Sequence, residues 1–374
     1  MTDTPLDIFL ACPPGLEQVL ADEARAAGFA APRAVPGGVE TQGGWPEVWR
    51  ANLTLRCAAR VLVRVGAFRA FHLAQLDKRA RKFPWADVLR ADVPVRVETA
   101  TSRKNKIYHA GAATQRIETA IAETLGAPVV QEAAEAAVSV KVRIEDNLVT
   151  VSLDTSGGPL HRRGHKEAVN KAPMRENLAA AFLRQCGYDG REPVVDPMCG
   201  SGTFVIEAAE IAAGLMPGRT RRFAFEDLAS FDPDAWARMR AGQPHAAPAP
   251  VFYGYDRDQG AIRMSEANAA RSGVDAFTSF ACQSVSDLTP PDGPPGLLIV
   301  NPPYGARIGN KGMLHGLYGT LGKVLTERFS GWRVGLVTSE GGLAKATGLP
   351  FDRPGPPVPL GGIKVTLWRT GPLP

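Results

Sequence analysis

The second half of this 374-residue chain predicts an α/β fold with a doubly wound parallel sheet, preceded by a smaller α+β region. Three observations carry that expectation. From residue 174 onward, short apolar strands and helices alternate, as βαβ units require. The first 155 residues instead mix helices with two-residue alternation and a hairpin pattern. The length, with 44% hydrophobic and 22% charged residues, suits a globular chain of two or three domains.

The elements follow in order. Residues 13–28 read as a helix, with prolines at the start, an apolar stripe of Leu16, Val19 and Leu20, and Gly28 as the stop. Residues 92–100 alternate as a strand, 109–126 form a helix ended by glycine, and 137–155 form a hairpin turning at Glu145-Asp146-Asn147. A glycine- and cation-rich joint spans 156–173. Beyond it lie a helix from Met174, a buried strand at 193–196, a helix from Thr203, and a strand at 251–256. A helix from Gly260, strands at 278–284 and 297–300, a helix from Gly316, and strands at 333–339 and 361–370 complete the alternation. The Pro/Ala-rich stretch 241–250 is expected to be a surface loop.

No apolar run reaches the roughly 18 residues that a bilayer span needs, and the N-terminus has no basic, signal-like start. A cytoplasmic location is therefore expected. Five scattered cysteines without a C-x-x-C pair argue against a disulfide framework and against a zinc site. The net charge of +5 is unevenly spread. Residues 51–110 carry thirteen Lys or Arg against four Asp or Glu, a local net of +9, while residues 1–50 and 111–160 each come to −4. Such a block suits a polyanion partner and equally suits a solvated face.

In an open α/β sheet, ligands sit at the carboxyl ends of the strands. Three such ends carry distinctive residues. In VVDPMCGSGTF (194–204), Asp196 is followed by Gly200 and Gly202 and then by a helix. There is neither a third glycine for a dinucleotide nor a G-K-[ST] for a triphosphate. At the second end, Asp256 in YGYDRD can accept both hydroxyls of a ribose. A ribose acid beside a glycine loop without phosphate cues points to S-adenosylmethionine. At the third end, LLIV runs into Asn301-Pro302-Pro303-Tyr304. The rigid prolines let the Asn301 amide oxygen and the Pro302 carbonyl converge on one exocyclic amine, and Tyr304 offers a ring for its base.

These residues resemble a known family. DPMCGSGTFVIEAA, GYDRD and NPPYG, preceded by HRRGHKEAVNKAPMRENLAAA, are similar to the THUMP-domain class I RNA guanine-N2 methyltransferases, closest to the amino-terminal N2-methylating half of the bacterial 23S rRNA enzyme and its stand-alone homologues. FLACPPGLEQVLADEARAAGF and SRKNKIYHAGAATQRIETAI resemble that family's ferredoxin-like start and THUMP module. The resemblance implies a ferredoxin-like domain at 1–55, a THUMP RNA-binding domain at 56–158 and a Rossmann-like methyltransferase domain at 159–374. It assigns cofactor contacts to Glu176, Asn177, Asp196, Met198, Gly200, Ser201, Gly202, Thr203, Asp256, Ser284, Val285 and Asn301. Asn301, Pro302, Pro303 and Tyr304 would form the catalytic motif. Arg103, Lys104, Lys106, Tyr108, Arg162 and Arg163 would contact RNA. One departure stands out: where the family often has an acid for the cofactor's adenine, this chain has Ser284, so that the Val285 backbone or Asp287 would have to serve.

The expected activity is methylation of a guanosine N2 in 23S rRNA by a monomer, without metal, DNA or membrane. A tRNA substrate would keep the same domain plan, and a non-catalytic RNA-binding assembly factor would keep the fold alone. A DNA adenine methyltransferase would leave the THUMP-like front half without a purpose.

Overall fold

The structure, a computed structural model, describes residues 5–167, 174–242, 247–248, 251–305 and 311–374. Parts of the expected joint at 156–173 and of the loop at 241–250 lie outside those residues. The chain divides into two compact units.

The first unit holds the chain up to Cys12, Ala21–Leu160 and Thr220–Gly242. Its elements are β1 (Leu6–Ala11), α1 (Glu17–Ala26, whose first residues belong to the other unit), β2 (Ala30–Val35), β3 (Gly38–Gly43), α2 (Trp45–Thr54), β4 (Arg60–Arg69), α3 (Leu73–Arg81), β5 (Val95–Ala100), α4 (Ala110–Leu125), β6 (Val138–Glu145) and β7 (Leu148–Asp154). One seven-stranded sheet, in the order β2-β3-β1-β4-β7-β6-β5, runs through all of it. Every pairing is antiparallel except β5 with β6. The division expected at residues 55/56 falls inside this sheet, because β4 is hydrogen-bonded to β1.

Local chemistry explains the boundaries. The β6–β7 hairpin turns through Asp146 and Asn147 at φ of 49° and 59°, the left-handed pair that a tight hairpin needs and that these two residue types tolerate. At Gly66 the β4–β7 register shifts, and a Cβ there would stand 2.7 Å from the Phe83 ring. Residues 220–242, which follow the sixth helix of the chain, fold with this unit. They carry α7 (Pro233–Ala241), introduced here with α5 (Glu176–Gln185) and α6 (Thr203–Ala212) of the other unit. Phe225 is their centre: its ring lies 5.2 Å from Phe223, 4.9 Å from Trp236 and 6.0 Å from Trp49 of α2.

The second unit holds Pro13–Leu20, His161–Arg219 and the chain beyond Gly242. After α5 come β8 (Val194–Asp196), α6, β9 (Phe252–Asp256), α8 (Gln259–Ser272), β10 (Thr278–Cys282), β11 (Leu297–Val300), α9 (Lys311–Arg328), β12 (Arg333–Thr338), α10 (Gly341–Ala346), β13 (Val358–Leu360) and β14 (Ile363–Arg369). The sheet order is β10-β9-β8-β11-β12-β14-β13. The five strands from β10 to β12 are parallel, whereas β14 is antiparallel to β12 and forms a hairpin with β13. The chain runs from β8 outward to β10, then returns to the other side of β8 for β11. The crevice between β8 and β11 is thus the topological switch point where such sheets take their ligand. Leu297, Leu298, Ile299 and Val300 are all fully buried, as a central parallel strand demands. No described helix is long and apolar enough to cross a membrane. All five cysteines are free, and only Cys282 is exposed.

Candidate active site

Strand β8 delivers Asp196 to the switch point with its carboxyl almost wholly buried. Its Oδ1 accepts the Met198 N–H at 3.1 Å. Burial raises its pKa to about 8, with the nearby Asp256 charge adding to the rise and the Met198 bond opposing it. The chain then turns through Gly200 (φ 58°) and Gly202 (φ 81°) into α6. Both angles lie in the left-handed region that favours glycine. At Gly202 a Cβ would also meet the Ser265 side chain at 3.1 Å.

The loop is fixed from two sides. From β9, the Tyr255 carbonyl accepts the Cys199 N–H at 2.8 Å. From α8, the Ser265 hydroxyl donates to the Gly200 carbonyl at 3.1 Å, and the Asn268 amide donates to the Ser201 carbonyl at 3.1 Å. Asp256, at the tip of β9, accepts the Gly200 N–H on Oδ2 and the Asp258 N–H on Oδ1, both at 3.0 Å. A carboxylate has about four acceptor positions, so two remain for a diol. The glycine loop and Asp256 therefore form one hydrogen-bonded assembly.

Glu176 and Asn177 open α5 and are buried. Lys166 holds this start in place: its ammonium donates to the Met174 carbonyl at 2.7 Å and to the Thr203 hydroxyl at 2.8 Å, and lies 3.9 Å from Glu176. Burial raises the Glu176 pKa, opposed by Lys166 and Arg163. Among the described residues, the Asn177 Oδ1 is buried without a hydrogen-bond partner. The same is true of the Asn301 Oδ1 at the end of β11. An unpaired buried acceptor costs about 1–3 kcal/mol, so each of these oxygens is an expense that a ligand's N–H or O–H would remove. Pro302 is buried, and Tyr304 packs against the apolar cluster that includes Leu298, Val300 and Leu314, its hydroxyl pushed up to about 12 by burial.

The 283–287 segment stands beside Asp256, whose carbonyl accepts the Gln283 N–H at 2.9 Å. Ser284 is exposed there and its hydroxyl is bonded to Ser286 at 2.9 Å, while the Val285 side chain is buried.

Far along the chain, residues 101–108 form a braced loop in the first unit. The buried Asn105 amide donates to the Ile144 carbonyl at 2.9 Å, the Asn147 side chain accepts the Lys106 N–H at 2.9 Å, and the Thr101 hydroxyl donates to the Ile107 carbonyl at 2.7 Å. Asn105 and Ile107 point inward, whereas Arg103, Lys104, Lys106 and Tyr108 are exposed. Tyr108 is 52% exposed, unusual for an aromatic ring without a partner surface.

Arg162 is exposed, but Arg163 corrects the expectation that it contacts RNA. It is buried and ion-paired with Glu207 and Glu210 of α6, with His165 buried beside them. A buried guanidinium enclosed by two carboxylates is not placed to reach a phosphate. Lys166, Ser265 and Asn268 were not anticipated. The signal for the last two lay in their spacing of three, which puts two polar side chains on one helix face next to a strand-end acid.

Two family models match the chain: "RMKL-like, methyltransferase domain" over residues 163–350, and "RlmL ferredoxin-like domain" over residues 7–62. The chain is 36% identical over 365 residues to a protein of Syntrophotalea carbinolica named ribosomal RNA large subunit methyltransferase K/L, covering 93% of this chain and 51% of that protein. The chain thus spans about half the length of the curated relatives it matches. Among solved structures, a possible methylase from Clostridium difficile 630 is 28% identical with a TM-score of 0.88, covering 99% of each chain. A predicted N6-adenine-specific DNA methylase from Listeria monocytogenes is 27% identical with a TM-score of 0.84, covering 99% of this chain and 97% of that one. The cofactor of such a domain is S-adenosylmethionine, and the residues present fit it: a buried acid for its cationic portion, a free-edged carboxylate for its ribose, and an amide oxygen in want of a donor. Sequence, strand order and donor set agree: the chain belongs to the RMKL-like methyltransferase-domain family.

Proposed function

We propose that this chain methylates the exocyclic N2 amine of a guanosine in 23S rRNA. The observation that carries the reading is the Asn301 amide oxygen, buried and unpartnered at the end of β11, across the switch point from Asp196. A clamp for an incoming amine needs an acceptor that is left open until substrate arrives, and its place at the end of β11 is what sets Asn301 apart from other buried polar atoms. When bound, S-adenosylmethionine supplies a methyl carbon on a positive sulfur, which an amine lone pair displaces in line while the carbon–sulfur electrons remain on sulfur. Asn301 Oδ1 and the Pro302 carbonyl accept the two N–H groups of the amine, which aims its lone pair. Tyr304 stacks on the base, and its hydroxyl, held neutral by burial, is no base. No strong base is required, because the nitrogen becomes acidic only after attack, and its proton can then leave along the Asn301 or Pro302 hydrogen bond.

Residues 1–55, 56–158 and 159–374 take the ferredoxin-like, THUMP and methyltransferase roles in this reading, with Arg103, Lys104, Lys106, Tyr108 and Arg162 on the RNA. The name of the Syntrophotalea carbinolica relative supports large-subunit rRNA as substrate. The protein would act as a cytoplasmic monomer, since an elongated RNA calls for reach rather than symmetry.

The test is transfer of tritiated methyl from S-adenosylmethionine to deproteinised 23S rRNA, bulk tRNA and duplex DNA in parallel, followed by nucleoside analysis. N2-methylguanosine in the rRNA alone is expected. The same nucleoside in tRNA alone would overturn the substrate, and N6-methyladenine would overturn the base.

A further inference from the structure

A motif with two consecutive prolines has few ways to be held. Pro302 and Pro303 have no N–H, so the backbone from 301 to 305 can be anchored only through its carbonyls and through the N–H groups of Asn301, Tyr304 and Gly305. Among the described residues, two such anchors flank Tyr304. Before it, the Tyr318 hydroxyl of α9 donates to the Pro303 carbonyl at 3.3 Å. After it, the Glu340 carboxylate accepts the Gly305 N–H at 2.9 Å. The anchors are themselves joined through Thr338, at the end of β12. Its hydroxyl lies 3.3 Å from the Tyr318 hydroxyl and accepts the Glu340 N–H at 3.2 Å.

Burial shows that the arrangement is built rather than incidental. Tyr318 and Thr338 are fully buried. Tyr318 keeps its proton, its hydroxyl pushed up to about 12 by burial, so that it remains a donor at any working pH. Gly305 has a φ of 81°, a conformation that leaves its N–H free to turn toward Glu340. A phenol in an otherwise apolar cluster of leucines, valines, Phe329 and Trp332 calls for a reason.

We propose that Tyr318, Thr338 and Glu340 are positioning residues that fix the backbone on both sides of Tyr304 and so set the ring on which the acceptor base rests. None of the three touches the reacting atoms. The proposal rests on the reading of Asn301 to Tyr304 as the base-holding motif. A bracket of this kind acts on the step in which a base must be aligned and leaves cofactor affinity alone, since Asp196 and Asp256 lie on β8 and β9.

The variants are Tyr318→Phe, Thr338→Val, Glu340→Ala and the conservative pair Thr338→Ser and Glu340→Gln, each in the full chain. Two quantities are measured. Amide hydrogen exchange at Gly305 reads the bracket itself, without any activity. The methyl-transfer kcat, set against the calorimetric Kd for S-adenosylmethionine, reads its purpose. Exchange at Gly305 should speed up about tenfold or more in Glu340→Ala and return toward wild type in Glu340→Gln. In Tyr318→Phe, Thr338→Val and Glu340→Ala, kcat should fall about tenfold or more, as misplacement of a reacting group does, while Kd stays within about twofold; Thr338→Ser and Glu340→Gln should recover. Unchanged Gly305 exchange in Glu340→Ala, or kcat losses matched by equal losses in cofactor affinity, would overturn the bracket. A wild-type chain that methylates nothing while showing the exchange pattern would instead overturn the proposed function and leave the bracket standing.

Discussion

Asn301→Ala separates a catalytic clamp from a structural asparagine by moving stability and activity in unlike directions. Truncating a buried side chain ordinarily destabilises a protein, and a polar residue within a hydrogen-bond network costs more still. At Asn301 the acceptor has no partner among the described residues, so truncation also removes a desolvation penalty of about 1–3 kcal/mol. The lost packing of the short side chain opposes this with about 1–2 kcal/mol, taking roughly 0.8 kcal/mol per methylene-sized group and the cavity left behind. The expected net change in unfolding free energy of the cofactor-free protein is within about 1 kcal/mol of zero, of either sign. Catalysis should respond very differently. Losing one of two fixed acceptors on the reacting amine resembles the loss of one oxyanion-hole donor, about 10²–10³ in kcat. Urea unfolding followed by tryptophan fluorescence, beside a methyl-transfer assay at saturating cofactor, measures both. A loss of 3 kcal/mol or more, estimated on the scale of ordinary core truncations, together with an unaltered kcat would refute the clamp and make Asn301 a packing residue.

Three other expectations follow from the same structure. Because Asp196 holds its proton up to about pH 8 in the folded chain and only to about 4 when unfolded, the cofactor-free protein should lose stability as pH rises between those values. If Asp196 binds a cationic part of the cofactor, affinity should rise with pH and level off above 8, with one proton released per ligand; calorimetry in buffers of different ionisation enthalpy reads this, and a flat profile identical to that of Asp196→Asn would contradict it. Lys104→Ala with Lys106→Ala should lower the slope of log Kd against log salt for RNA by roughly two, one per phosphate contact, and an unchanged slope would return both lysines to the solvent. Arg163→Ala should leave that slope alone while costing about 3–5 kcal/mol of stability, because it removes the guanidinium that faces both buried carboxylates, Glu207 and Glu210, and leaves Arg219 to face Glu210.

How much of this could be read in advance depended on whether a feature was local. β8, β9 and β11 were legible because a parallel strand buried wholly (β8, β11) or in part (β9) is a short apolar run that ends at a polar signal, here Asp196, Asp256 and Asn301. The β6–β7 hairpin was legible because Asp146-Asn147 is a turn with its own conformational demand. α3, α7 and α10 were not singled out: α3 is strongly cationic, α7 begins in a charged stretch, and α10 is only six residues long with two glycines at its start. Arg163 and Lys166 were misjudged or missed for one reason. A run of cations such as HRRGHK looks like surface until the carboxylates of Glu176, Glu207 and Glu210 arrive from distant helices to enclose it. Ser265, Asn268 and Glu340 likewise act on loops dozens of residues away, and Tyr318 on one fifteen residues away, and nothing beside them in the sequence announces a partner.

The excursion of residues 220–242 bears on how such a protein can be cut or recombined. The backbone passes from one unit to the other at 12/13, 20/21, 160/161, 219/220 and 242/243. A chimera that replaces residues up to 160 with those of a relative would bring in a foreign counterpart of Trp49 yet keep this chain's Phe223, Phe225 and Trp236, so the aromatic cluster would be assembled from unmatched halves. Exchange of the whole first unit between relatives therefore requires two grafts, the second lying between α6 and β9, and a protease nick within 220–242 would cut the chain at this cluster without touching a strand of the second sheet.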